Sequence, residues 1–314
     1  MGERAIEMNT TASLNKQQSV RQRRKKWNIS GWLFVLPAII AFLMFKYYPI
    51  LLGISITFFK YDIMNPPGPF VGLANYIRAL KDPALMNAIK NNLQFLLIMI
   101  LINLLIPMCL AIMVNEVRKH KTLVRTLYYI PAILPSVVVT VLWKYIWQPD
   151  YGLANYILSW FGAEAQMWLN DTALVKWCMR FPYLIIFAGL SAGMDFIIYL
   201  AALNNIPDEL YESAQIDGAS FWNKLRYITI PQLSTTISML LVLNTISIFN
   251  LFDEPMIMTG GGPANASETI VLYAFQKAYK DLDYSYATTI TTIAFLIVFT
   301  LTLFQMRIKN RKED

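Results

Sequence analysis

The chain has 314 residues, 56% of them hydrophobic, with a mean hydropathy of +0.43 and a net charge of +7. A soluble domain is ordinarily about 45–50% apolar, and the excess here is gathered in long runs, which excludes one greasy water-soluble core. The basic balance does not point to nucleic acid, because the Lys and Arg residues cluster beside apolar runs, as membrane-topology signals do. One histidine, His120, and two scattered cysteines, Cys109 and Cys178, exclude a disulfide framework and argue against a metal cluster or a catalytic triad.

In chain order, residues 1–30 form a polar segment in which Arg21, Arg23, Arg24, Lys25 and Lys26 precede the first apolar run. That run extends over about 31–59 without a small-x-small cleavage pattern, so it reads as a retained span rather than a leader. Further runs predict spans at about 93–117, 123–147, 181–203, 232–258 and 286–306. The expected class is all-α: a polytopic membrane protein of about six transmembrane helices. Its parts are a basic segment 1–30, a transmembrane domain 31–306 and a short tail 307–314. Pro49, Pro107, Pro131 and Pro135 fall inside spans, where kinks either shape a cavity or merely accommodate packing. The basic residues of the N-terminal segment, of the loop with Arg118, Lys119, Lys121 and Arg125, of the loop with Lys224 and Arg226, and of the tail share one side if the spans alternate. Both termini are therefore expected in the cytoplasm of a multi-pass bacterial plasma-membrane protein.

The intervening loops carry signals too. Residues 71–90 show helix-like spacing interrupted at Pro83, which suggests a short interfacial segment, and a second amphipathic piece is expected at about 268–280. Gly260, Gly261, Gly262 and Pro263 break the chain after the fifth span, and most of the Trp residues, Trp160 and Trp168 among them, fall near expected interfaces. No internal repeat and no phosphate-binding Gly-x-x-x-x-Gly-Lys-Ser/Thr loop is present, so ATP, if used, is bound by another chain.

The most informative stretch is the loop 206–231. Pro207, Asp208 and Glu209 suit a helix start, with acid at its positive end. Asp217-Gly218 supplies a turn, and Phe221, Leu225 and Ile228 mark a second amphipathic helix, after which Pro231 leads into the fifth span. A helix–turn–helix with an apolar face at the aqueous side of a membrane protein calls for a partner.

Glu212-Ser213-Ala214, Asp217-Gly218-Ala219 and Ile230-Pro231 resemble the EAA loop of binding-protein-dependent ABC importer permeases, with Ser213 standing where the family pattern has Ala. Tyr48-Pro49, the stretch Phe70 to Tyr76, the stretch Trp147 to Asn155, and Thr259 to Pro263 are similar to the sugar-importing branch, of the maltose and glycerol-phosphate type. The resemblance implies a permease subunit rather than an enzyme. It forms half of a pathway for a sugar, expected to be an oligosaccharide, delivered by an extracytoplasmic binding protein. It also implies a second homologous permease and a cytoplasmic ATPase dimer that holds ATP and Mg, with no cofactor on this chain. Glu212, Ser213, Ala214, Asp217, Gly218, Ala219, Phe221 and Pro231 would then dock on the ATPase. An importer for glycerol phosphate, a polyamine or an amino acid is the alternative. A channel, a secondary transporter and a membrane-embedded enzyme are disfavoured by the EAA-like loop and the missing nucleophile.

Candidates for the substrate path come from polar and aromatic residues in spans: Asn244, Ser247, Asn250, Asp253 and Glu254 fall on one broad stripe, with Phe252 and Tyr199 able to stack on a sugar ring. Bonding between helices is an equal alternative for each. Asp195 reads as one of a structural pair, while Lys46 and Lys144 either snorkel or act within spans.

Overall fold

The computed structural model describes residues 29–116, 134–185 and 192–313, together with Leu123 and Thr126. The basic segment before Ile29, most of the basic loop around Arg118, and parts of the expected third and fourth spans lie outside these residues. The chain divides into two units, one ending at Ser55 and one beginning at Ile56.

In the first unit, α1 (Ile29–Phe42) runs through a π-helical turn, Leu43–Tyr47, into α2 (Tyr48–Ile56). Such a turn adds one residue to the helical ladder and rotates the faces after it. Pro37 sits within α1, and Lys46 lies 5.9 Å from the Phe42 ring centroid. Nearly every described side chain here is exposed, with Phe34 at 87% and Phe45 at 81%. An all-round apolar helix of this kind is made for lipid or a neighbouring helix.

The second unit is helical as well. Its described residues hold a single isolated bridge, Phe59 to Phe70. The helices are α3 (Ala74–Leu80), α4 (Pro83–Glu116), α5 (Ser136–Ile146), α6 (Leu153–Trp160), α7 (Leu174–Ile185) and α8 (Ala192–Asn204). Then follow α9 (Asp208–Ile216), α10 (Phe221–Lys224), α11 (Ile230–Gln232), α12 (Ser234–Phe249), α13 (Ile270–Tyr279) and α14 (Tyr284–Glu313). Among the described residues, three helices are long and apolar enough to cross a bilayer: Trp32–Ile56, Pro83–Glu116 and Tyr284–Ile308. A fourth candidate is the pair Phe221–Gln232 and Ser234–Phe249, bent by 62° at its break.

Two departures from the sequence reading have clear causes. The helix-like stretch breaks just before Pro83 as expected, but Pro83 opens the long α4 rather than lying in a short interfacial segment. Its lack of an N–H costs nothing at a first helical position, and Asp82 caps the helix through a 2.9 Å bond from the Ala84 amide to Oδ1. At 34 residues, α4 starts well before the expected second span and ends with it. The expected fifth span is interrupted: α12 stops at Phe249, and a π-helical turn, Pro255–Thr259, follows five residues later. The carbonyls freed by this break have partners. Asn92 Nδ2 donates to the Ile248 carbonyl at 3.1 Å, and Thr269 Oγ1 donates to the Leu251 carbonyl at 2.7 Å. Within a membrane such irregular backbone survives only when its polar groups are satisfied in this way.

Two apolar cores result. One gathers Phe95, Met99, Trp143, Trp147, Met179, Ile248, Phe249 and Tyr286. The other gathers Ala111, Phe196, Tyr199, Leu200, Leu203, Leu233 and Leu240. Trp143 and Trp147 are buried and stacked at 5.6 Å.

Candidate functional site

The loop expected to form a helix–turn–helix does so. Pro207 precedes α9, whose first turn carries Asp208 and Glu209. The helix closes when the Ala219 amide bonds to the Ala214 carbonyl at 2.9 Å and Gly218 takes a φ of +73°. An L side chain is strained there, so glycine is required by the turn and not by crowding: a Cβ at Gly218 would meet nothing within 4 Å. Ser220 caps α10 by accepting from the Asn223 amide at 3.3 Å. The two arms are braced where the hydroxyls of Tyr211 and Thr229 lie 3.0 Å apart. Neither Thr229 nor Ser220 was singled out from the sequence, although a serine just before Phe221-Trp222 is a recognisable cap.

Glu212, Ser213, Asp217, Gly218, Phe221 and Pro231 are exposed, while Ala214 and Ala219 are half-buried. Around them stand exposed apolar side chains: Ile216 at 87%, Trp222 at 72%, Phe221 and Leu210. The Phe221 and Trp222 rings meet edge to face at 5.6 Å. The Ser213 hydroxyl donates to the Glu209 carbonyl at 2.8 Å, so it adds no unsatisfied polar group to the face.

The path candidates separate into two sets. Tyr199 and Asn244 are buried inside the unit, at 0% and 5% exposure, and Glu254 is buried too. Asn244 accepts from Asn103 at 2.7 Å and donates to Asp195 at 2.8 Å, which ties α4, α8 and α12 together. The structural pair expected for Asp195 is thus with Asn244. Asn103, a lone amide in the apolar run of α4, was missed. In contrast, Ser247 and Asn250 are exposed at the end of α12, and Asp253 is half-exposed. Asp253 accepts from the Ser136 hydroxyl at 2.8 Å, and Phe252 packs edge to face on Phe275 at 5.1 Å. Lys144 donates to the Ile257 carbonyl at 2.8 Å, so α5 is clamped to the broken segment at both of its ends. Beside this clamp opens a cleft of about 440 Å³ lined by Lys144, Asn170, Ile257, Thr259 and Pro263. Among the described residues, no three His, Cys, Asp or Glu side chains are grouped to hold a metal.

Residues 103–312 match the family described as the binding-protein-dependent transport system inner membrane component. The chain belongs to this family. It is accordingly a multi-pass transport component of the bacterial inner membrane, not an enzyme. It is 31% identical over 291 residues to a probable ABC transporter permease, YurN, of Bacillus subtilis, covering 91% of this chain and 98% of the relative. It is 30% identical to the trehalose/maltose permease MalF of Thermococcus litoralis, over 90% of this chain and 95% of that one. The lactose permease LacF of Rhizobium radiobacter is 31% identical, with coverages of 90% and 94%. Among solved structures it resembles a chain of a bacterial ABC transporter that imports the acidic polysaccharide alginate, with a TM-score of 0.78, 27% identity, and 94% and 99% of the two chains covered. A second structure of a bacterial alginate transporter, in complex with its periplasmic protein bound to an alginate pentasaccharide, gives a TM-score of 0.79 at 28% identity, over 93% of this chain and 96% of that one.

Proposed function

We propose that this permease component imports an oligosaccharide, and that it works beside a second homologous permease, a cytoplasmic ATPase pair holding ATP and Mg, and an extracytoplasmic sugar-binding protein. The observation that carries the reading is the exposed apolar face of α9 and α10 on the EAA-like loop. It is rigidly braced within the chain and is completed only by a partner. The sugar assignment rests on relatives named for maltose, lactose and alginate that match along about nine-tenths of the chain.

In this reading, closure of the ATPase pair pulls on α9, and the Tyr211–Thr229 brace passes the displacement through α10 and α11 to α12. The broken end of α12 then presents Ser247, Asn250 and Asp253 to the sugar, while Phe252 lines the approach. The buried Asn244, Tyr199 and Glu254 support this wall from behind. Amide and carboxyl groups beside an aromatic ring suit the hydroxyls and apolar face of a pyranose. The test is ATP hydrolysis by the reconstituted complex with its binding protein, offered neutral and acidic oligosaccharides side by side. Stimulation by one class supports the reading and names the substrate chemistry; an intact complex that no sugar stimulates would refute the sugar assignment.

A further inference from the structure

The helix α6 is turned inside out relative to a water-facing helix. Its amide residue, Asn155, points inward, and the hydroxyl of exposed Ser159 is satisfied by the Tyr156 carbonyl at 2.7 Å. Asn155 donates to the Pro149 and Gln166 carbonyls, at 2.9 and 3.0 Å, and its Oδ1 accepts from the Gln166 amide and from the Trp168 indole. Ala154 beside it packs on the apolar core. The opposite stripe, at the i, i+3, i+4, i+7 spacing of one helical face, is Leu153, Tyr156, Ile157 and Trp160, and all four are exposed. Trp160 is 69% exposed and Phe161 just after it 81%. No charged residue occurs between Asp150 and Glu164. In water this is a costly surface; a protein-docking surface of this size ordinarily carries Arg or a polar rim.

The position of α6 decides what covers this stripe. Its first turn sits on the end of α5: the Gly152 amide bonds to the Gln148 carbonyl at 2.9 Å. A Cβ at Gly152 would lie 2.5 Å from the Ile146 carbonyl, so α6 begins in contact with the last turn of an apolar helix. About a dozen residues after α6 ends, the chain enters α7 and returns toward the core. A segment hung from the end of the apolar helix α5 lies at the level where the bilayer meets water. Tyr and Trp, with an apolar ring and one hydrogen-bonding atom, are the residues suited to that level.

We infer that α6 is an interfacial anchor whose Leu153, Tyr156, Ile157 and Trp160 face rests in the lipid headgroup and upper acyl region. It fixes the depth of α5 and of the clamp that Lys144 makes on the broken segment. The part of the 148–180 loop left for a binding protein to touch then lies on the Gln166 side, not on α6.

The test uses the complete transporter in lipid nanodiscs, with Cys109→Ser and Cys178→Ala removing the native thiols and a nitroxide attached at Tyr156→Cys. Glu164→Cys, exposed and close by, serves as the aqueous control. Sugar-stimulated ATP hydrolysis of each labelled complex certifies its fold. The expected result is a ratio of oxygen to nickel-chelate collision several-fold higher at position 156 than at 164, unchanged by the sugar-loaded binding protein. High nickel collision at 156 would place α6 in water and overturn the anchor. Low collision with both reagents would bury it under the second permease and overturn it equally, as would loss of oxygen access on adding the binding protein.

Discussion

Two regions of the second unit answer the same problem, an irregular connection between helices, in opposite ways. Around α3, the start of α4, α13 and the start of α14, polar side chains tie the elements to one another, although Ile77, Leu80 and Tyr279 stay exposed. Asp82 caps α4 with one oxygen and accepts the Tyr273 and Tyr286 hydroxyls with the other. Arg78 pairs with Asp283 at 2.6 Å and covers the Tyr286 ring at 3.9 Å, while Asn91 ties down the Asn265 and Glu268 carbonyls. Around α9 and α10, one hydroxyl brace and one serine cap hold the arms, and the apolar side chains point outward. The polar groups of the first region are satisfied within the chain; the second leaves an apolar face that, in the proposed reading, the ATPase covers. Rigidity without self-sufficiency is what a force-transmitting surface needs, since a floppy loop would absorb the displacement it is meant to pass on.

The largest expected effect breaks the second region alone. Gly218→Trp places a large ring at an exposed turn whose positive φ already strains any L side chain. Transport should fall to background while expression and insertion persist. Gly218→Ala, which adds the strain of about 1–2 kcal/mol without the bulk, should keep a measurable fraction.

The next effect falls on the first region. Burial opposes ionisation of Asp82, but hydrogen bonds from Tyr273 and Tyr286 and the Ala84 and Leu85 amides outweigh it and hold the carboxyl below its usual range. A depressed acid contributes stability above its unfolded value, near 3.9, and loses it as pH falls through the folded value. Asp82→Asn should therefore cost about 1.5–3 kcal/mol at neutral pH, read as a lower unfolding temperature in nanodiscs. The gap from wild type should close as the pH is taken down through 4.

Asn250→Ala sharpens the comparison from the path side. The side chain is exposed and, among the described residues, bonds only to its own helix, donating to the Ile246 carbonyl at 2.8 Å. Uptake of some oligosaccharides should change several-fold while the unfolding temperature stays put; identical uptake of every sugar would remove Asn250 from the path.

Glu268 is a flaw in the first region. It is buried, at 3% exposure, and among the described residues its Oε2 has no hydrogen-bond partner. Burial pushes its carboxyl up despite the opposing pull of Lys277. An acid with a raised folded value weakens the fold as pH climbs above its unfolded value, near 4.3. Glu268→Gln should leave the neutral-pH unfolding temperature unchanged or slightly higher and flatten its fall with rising pH.

How much of this was legible beforehand follows from the range of the interactions. The helix–turn–helix of 206–231 was readable almost residue by residue, because Pro207, Asp217-Gly218 and the spacing of Phe221, Leu225 and Ile228 act locally. The membrane class was readable from run length. The break after Phe249 was not, because it depends on Asn92 and Thr269, far away in sequence, satisfying the freed carbonyls. The division of the polar stripe was hidden for the same reason: Asn244 and Asn250 look alike in an apolar run, and only Asn103 and Asp195 make the first a strut between helices. Pro83 marks the break locally, but the length of the helix it opens depends on residues far beyond it.

The most direct measurement is photocrosslinking from a benzophenone at Ile216 in the assembled, membrane-embedded transporter. This side chain is 87% exposed at the end of α9 and contributes nothing to the internal brace. The account predicts an adduct with the ATPase chain whose yield changes when ATP is trapped in the complex. Adducts with lipid or with the second permease alone, from a transporter that still hydrolyses ATP in response to its sugar, would contradict it.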